Sequence, residues 1–174
     1  MAWTTRIASP ADAEQVADVL REGFESYRSF APPGWEPPTR NYELEALRAR
    51  LADPDVWSMV AHADGGETAG VVSLLPAFKH SRWPTDEPGL VQLWHLFLRE
   101  RWWGSGLAGE LHREVLKEAG ERGYRAMRLF TPVAQARALR FYAREGWTLE
   151  RDSVDAPEFG MPLAELRRAI SISV

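Results

Sequence analysis

The segment Trp103-Gly104-Ser105-Gly106-Leu107-Ala108-Gly109 constrains what this chain can fold into more than any other stretch. It joins an apolar run, Leu90 to Leu98, to residues with the spacing of an amphipathic helix, so its glycines stand where a strand must turn into a helix. Glycine at such a junction accepts left-handed backbone angles and lets the main chain approach a ligand closely. The first amides of the helix lack intrahelical acceptors and lie at the positive end of its dipole, so a phosphate or pyrophosphate is their natural partner. The plainer alternative is a helix start eased by glycine, with no ligand.

Periodicity and turn residues order the rest of the chain. Thr4 to Ala8 reads as a strand, followed by a helix start at Ser9, Pro10 and Asp12 and a buried face at Val16, Leu20 and Phe24. Tyr27 to Thr39 is a proline-broken loop that carries Tyr27, Phe30 and Trp35. Asn41 is the expected cap of a short helix with Leu44, Leu47 and Leu51. Val56–His62 and Glu67–Leu75 form a hairpin around Asp64-Gly65-Gly66, and a loop from Phe78 to Gly89 leads into the strand Leu90–Leu98. Then come a helix over Gly104–Ala119, a strand over Arg125–Thr131, a helix over Ala134–Glu145, and strands over Trp147–Asp152 and Phe159–Leu163. This order predicts an α/β (α+β) fold in one domain over residues 1–174, a mixed sheet with helices on both faces.

Composition limits the partners. A net charge of -4 gives no long-range attraction for nucleic acid or for an anionic membrane, so any anion must be held by local groups. No apolar run approaches a membrane span, and Met1 to Pro10 lacks the layout of a signal peptide, so the cytoplasm is the expected compartment. With no cysteine, disulfides, thiolate metal sites and an enzyme thioester relay are all excluded.

Three motifs compete for the glycine segment. Gly104 and Gly109 have P-loop spacing, but Glu110 and Leu111 stand where a lysine and a Ser or Thr would meet phosphate and magnesium. Gly104-x-Gly106-x-x-Gly109 matches the dinucleotide fingerprint by letter. However, Arg99 to Trp103 separate it from its strand, and the next strand ends Leu129-Phe130-Thr131 without a ribose-binding carboxylate. The third is Q/R-x-x-G-x-G/A, through which the chain resembles the Gcn5-related N-acetyltransferase (GNAT) superfamily. Arg101-x-x-Gly104-x-Gly106 fits by letter, while the offset from Leu96-Phe97-Leu98 favours Trp103-x-x-Gly106-x-Ala108, with tryptophan in place of the usual Gln or Arg. Gln135, Ala138, Phe141-Tyr142, Gly146 and Trp147 resemble the family's second signature, N-x-x-A-x-x-F-Y-x-x-x-G-F.

The resemblance implies a single mixed, mostly antiparallel central sheet of about seven strands flanked by about four helices. It implies acetyl-CoA as cosubstrate, no metal, and transfer of the acetyl group to a primary amine. The backbone of Leu96, Phe97 and Leu98 would pair with pantetheine, as an added strand does. Trp103 and the amides of Gly104, Ser105, Gly106, Leu107, Ala108 and Gly109 would hold the pyrophosphate. Gln135 would bond the pantetheine arm, and Tyr142 would be the general acid toward the departing thiolate. The glutamate bases of relatives fall near Gln92 and Phe130, neither of which is a base. His95 is then the candidate base, with His80, Asp86 and Glu87 of the preceding loop as alternatives. The aromatic loops Tyr27–Trp35 and Phe78–Trp83 are expected to wall a pocket for a small amine, or else to form a homodimer interface. Direct attack in a ternary complex is the expected mechanism. The competing reading is a non-catalytic acyl-CoA-binding or sensor domain that kept the cleft and lost its base.

Overall fold

The computed structural model describes residues 2–172. Seven strands form one sheet in the order β1-β2-β3-β4-β5-β7-β6. They are β1 (Trp3–Ile7), β2 (Trp57–Ala63), β3 (Thr68–Pro76), β4 (Leu90–Leu98), β5 (Ala126–Pro132), β6 (Thr148–Val154) and β7 (Leu163–Ala169). Four α-helices accompany them: α1 (Ala13–Glu25), α2 (Leu44–Ala52), α3 (Leu107–Glu121) and α4 (Ala136–Arg144). Every strand pair is antiparallel except β4 with β5. This is the mixed, mostly antiparallel sheet with four helices that the sequence predicts. No helix among the described residues is long and apolar enough to cross a membrane.

The entry to α1 forms as expected. The Ser9 amide donates to the Asp12 carboxylate at 2.7 Å, and the Asp12 amide donates to the Ser9 carbonyl at 2.9 Å. Arg6 grips the same carboxylate and holds its pKa below the ordinary range. Val16, Val19, Leu20 and Phe24 then recur on one face of α1 and are buried, each such side chain contributing about 1.5–3 kcal/mol by leaving water. All nine residues of β3 are buried, because helices cover both of its faces and a strand so covered reads as a continuous apolar run. On one side α3 packs Leu107, Leu111 and Val115 near Val72, Leu74 and Met127. On the other, α1 and α2 pack with Val60 and Val71.

Two expectations are corrected. Asn41 does not cap α2: it lies within a 3-10 turn, Thr39–Tyr42, and Glu43 holds the extended N-cap conformation (φ -69°, ψ 126°). The last strand is Leu163–Ala169, not Phe159–Leu163. Phe159 and Met161 are buried in a turn that receives the Trp35 indole, whose N–H donates to the Phe159 carbonyl at 2.7 Å. Gly160 has φ +81° there, and an added Cβ would meet Trp35 at 2.9 Å, so the turn needs glycine for its conformation and for space.

Candidate active site

The parallel strands β4 and β5 pair only at Leu90–Ala126, Val91–Met127 and Gln92–Arg128. Beyond these pairs β4 follows β3 to Leu98, and β5 follows β7 to Pro132. The two strands therefore part, and each leaves an edge facing the other with no strand partner. A bulge marks the place: Ser73 pairs with His95 and Leu74 with Leu93, so Trp94 is an extra residue. Such an insertion bends its strand and re-aims its side chains.

At the far end of the opened β4 edge, a 3-10 turn (Glu100–Trp102) leads to Gly104 at φ +76° and Gly106 at φ +95°. A Cβ on either would meet nothing within 4 Å, so only the left-handed conformation demands glycine, and the space beside them is open. Gly106 is the N-cap of α3. Ser105 braces the turn, with its hydroxyl donating to the Trp102 carbonyl at 2.6 Å and accepting from the Leu107 amide at 3.2 Å. The amides of Gly104, Gly106, Ala108 and Gly109 have no acceptor among the described residues. Their placement at a helix start, over open space, fits a pyrophosphate.

Between this turn and the strand split runs a cavity of about 470 Å³, lined by Leu96, Leu98, Trp103, Gln135 and Tyr142 among others. The same five residues also line a second cavity of about 170 Å³ on the far side, so they form the neck between the two. Trp103 donates from its indole to the Leu98 carbonyl at 3.2 Å, and the Arg137 guanidinium lies 3.3 Å from its ring centroid. Gln135 precedes α4, and its carbonyl oxygen accepts from the Thr131 hydroxyl at 2.9 Å, which leaves its NH₂ for the neck. Burial alone raises the pKa of Tyr142, so its phenol stays protonated. Tyr27 is also buried and raised, first by burial and then by the nearby Tyr142. Two neutral phenols thus line the smaller cavity, and only that of Tyr142 also reaches the larger one.

The smaller cavity lies beyond the neck. His80, Trp83, Trp94, His95 and Phe130 line it, and no Asp or Glu does. His95 is buried, with its ring stacked on Trp94 at 3.9 Å, and burial, assisted by His80, pushes its pKa down to about 3. His80 accepts from the Trp83 amide at 3.1 Å, and burial followed by the fields of Arg128, Arg82 and Arg50 takes it to about 4. Both imidazoles are neutral at physiological pH. Burial therefore makes His95 a weak proton acceptor in this cavity.

The sequence model of the acetyltransferase (GNAT) family matches residues 20–147. The chain belongs to this family. Its fold is similar to that of several GNAT structures. The PaiA N-acetyltransferase of Thermoplasma acidophilum, solved in complex with coenzyme A, superposes with a TM-score of 0.73 at 20% identity, covering 95% of this chain and 98% of that one. A GCN5-related N-acetyltransferase from Kribbella flavida gives 0.70 at 17% identity, with 97% and 98% covered. The ribosomal-protein-S18-alanine N-acetyltransferase of Escherichia coli gives 0.70 at 11% identity, with 99% and 97% covered. No curated protein sequence matches the chain.

Within this GNAT fold, the residues singled out in the sequence divide into those at the cleft and those behind it. Leu96, Leu98, Trp103, Gly104, Gly106, Ala108, Gly109, Gln135 and Tyr142 line the larger cavity. Phe97 turns the other way, with its ring 5.0 Å from Phe24 beside the smaller cavity. Leu107 is core with its amide engaged, and Ser105 serves the turn. Glu87 is paired with Arg167 at 2.7 Å, and neither it nor Asp86 lines the cavity. Trp35 is packed in the core and is not a wall of the acceptor pocket. Tyr27 lines the smaller cavity, as expected of its loop, whereas Thr131 and Arg137 are cleft residues that nothing local in the chain announces.

Proposed function

We propose that this GNAT acetyltransferase transfers the acetyl group of acetyl-CoA to the primary amine of a small molecule, by direct attack in a ternary complex in the cytoplasm. The observation that carries this reading is the opened β4 edge. It runs from a turn with unpartnered amides to the buried Tyr142 phenol, and beyond that neck lies a separate, aromatic-walled cavity of about 170 Å³. Pantetheine pairs with the free edge at Leu96–Leu98, the glycine turn takes the pyrophosphate, and the Gln135 NH₂ donates to an amide carbonyl of the arm. The amine lone pair attacks the thioester carbonyl, the C–S bond breaks, nitrogen loses one proton and the CoA sulfur gains one.

Tyr142 assists by donating a hydrogen bond to the departing sulfur. A phenol raised by burial is too weak an acid to surrender its proton fully, yet as a fixed donor it stabilises the developing thiolate. Since no carboxylate lines the acceptor end, the amine reacts as its free base, and His95 accepts a hydrogen bond from it and orients it. The same lack of a carboxylate supports the alternative of an acyl-CoA-binding domain without activity. Release of free CoA thiol from acetyl-CoA on addition of a panel of primary amines separates the two. An amine-dependent release is expected, and its absence across the panel, with acetyl-CoA still bound, favours the binding domain.

A further inference from the structure

We infer that the acceptor carries an oxyanion, a carboxylate or a phosphonate, near its amine, and that Arg50 binds this group. The inference rests on the reading of the cleft as an acetyl-transfer site and adds the chemical class of the acceptor. A cavity of about 330 Å³ adjoins the acceptor end and shares Asn41, His80, Arg82 and Trp94 with it. Arg50 reaches this cavity from the last turn of α2. Its guanidinium lies over the ring of Trp94, the bulge residue, at 5.7 Å, and donates one N–H to the Lys79 carbonyl at 3.2 Å. A guanidinium backed by an indole and anchored on one side keeps its remaining N–H groups for a two-point contact with an oxyanion.

Two neighbouring cations are already matched. Lys79 is held by Asp53 and Asp55, each at 2.8 Å, and Arg82 by Glu158 at 2.6 Å. Arg50 has no carboxylate within 4.0 Å among the described residues. The exposed Arg40 and Glu43 complete the charged lining. At the junction of the two cavities, His80 feels Arg128, Arg82 and Arg50 together, and Arg128 is itself buried on Gln92 at 2.7 Å. Arg40, Arg50 and Arg82 outnumber Glu43 and Glu158 in the lining, so an acceptor with both ends enters with the anion toward Arg50 and the amine toward Tyr142.

The test uses the full chain with L-methionine, L-phenylalanine and L-glutamate, their carboxamides, and their 1-aminoalkylphosphonate analogues. Binding of each to the CoA-loaded protein is measured by calorimetry, and thiol release from acetyl-CoA is measured in parallel. At least one anionic amine should bind and react with a kcat/KM at least 10-fold above that of its carboxamide, and the carboxylate and phosphonate arms show which oxyanion fits. Arg50→Gln should raise KM for that amine at least 10-fold with little change in kcat, and Arg50→Lys should restore part of it. Unaltered acetyl-CoA affinity in both variants shows that they fold. Equal treatment of acids and amides, no binding by any anionic amine, or a preference that survives Arg50→Gln overturns the inference. An anionic amine that binds through Arg50 without thiol release upholds the anion site and removes the acetyl-transfer reading. Equal turnover of acids and amides does the reverse.

Discussion

The Trp147 indole donates a 2.9 Å hydrogen bond to Nε2 of His112. His112 is fully buried in α3, and the bond places its own proton on Nδ1, which faces the Glu145 carboxylate at 3.5 Å. The Tyr142 ring packs 5.5 Å from Trp147 and 6.5 Å from His112, so this pair fixes the end of α4 that presents the phenol. Trp147→Phe leaves Nε2 without a donor and should cost about 1–3 kcal/mol of stability, read by denaturant unfolding. It should also lower kcat more than it weakens acetyl-CoA binding. Unchanged stability and kcat would remove the pair from the positioning of Tyr142.

Tyr142→Phe deletes the proposed donor to the departing sulfur and little else, since the ring keeps its packing. Steady-state thiol release should show kcat falling by roughly 10²-fold or more, with acetyl-CoA affinity changed by only a few-fold. A variant with wild-type kcat would show that sulfur departs without Tyr142.

With His95 near 3 and His80 near 4, no cleft imidazole titrates in its ordinary range. The pH profile of kcat/KM should therefore rise toward the pKa of the acceptor amine, with no inflection near 6.5. His95→Ala should lower turnover by about 10-fold through lost orientation, leave acetyl-CoA affinity unaltered and keep the shape of the profile. An inflection near 6.5 that His95→Ala abolishes would make His95 a base after all.

Acid should destabilise the fold early. His95 (about 3) and His112 (about 4) are neutral when folded, whereas an exposed histidine takes up its proton near 6.5. Between pH 6.5 and 4 the unfolded chain thus binds more protons, and stability is lost as pH falls through that window. These two give a limiting slope of about 2.7 kcal/mol per pH unit, to which His80, at about 4, adds. Equilibrium unfolding at several pH values checks this, and a flat response over that window would contradict the burial of both rings.

The glycine turn was legible in the sequence because Gly104 and Gly106 take backbone angles that other residues avoid, and the chain spells that need directly. The helices and the hairpin were legible through their periodicity. The bulge at Trp94 was not, since it exists only in the pairing of β4 with Ser73 and Leu74, residues distant in the chain. β7 hid for a different reason. Leu-Ala-Glu-Leu-Arg-Arg-Ala has no β-branched residue, and Glu165 is buried only because Arg151 on the adjacent strand bonds it at 3.1 Å. The apolar Phe159 to Met161 stretch looked more like a strand, although its burial comes from Trp35 and Tyr27 packing on a turn. At the site, the motif-bearing residues and Tyr27 were named in advance, while Arg50 emerged only once α2 bordered the cavity beside Trp94.

The central claim is that the opened strands and the glycine turn hold acetyl-CoA, and titration calorimetry of the wild-type chain against Gly106→Asp tests it most directly. At φ +95° an aspartate is strained and sets a negative charge where the pyrophosphate belongs. The account predicts one acetyl-CoA bound per wild-type chain and an affinity loss on the order of 100-fold in the variant, about 2.7 kcal/mol. No binding by the wild type, or equal binding by both, would contradict it.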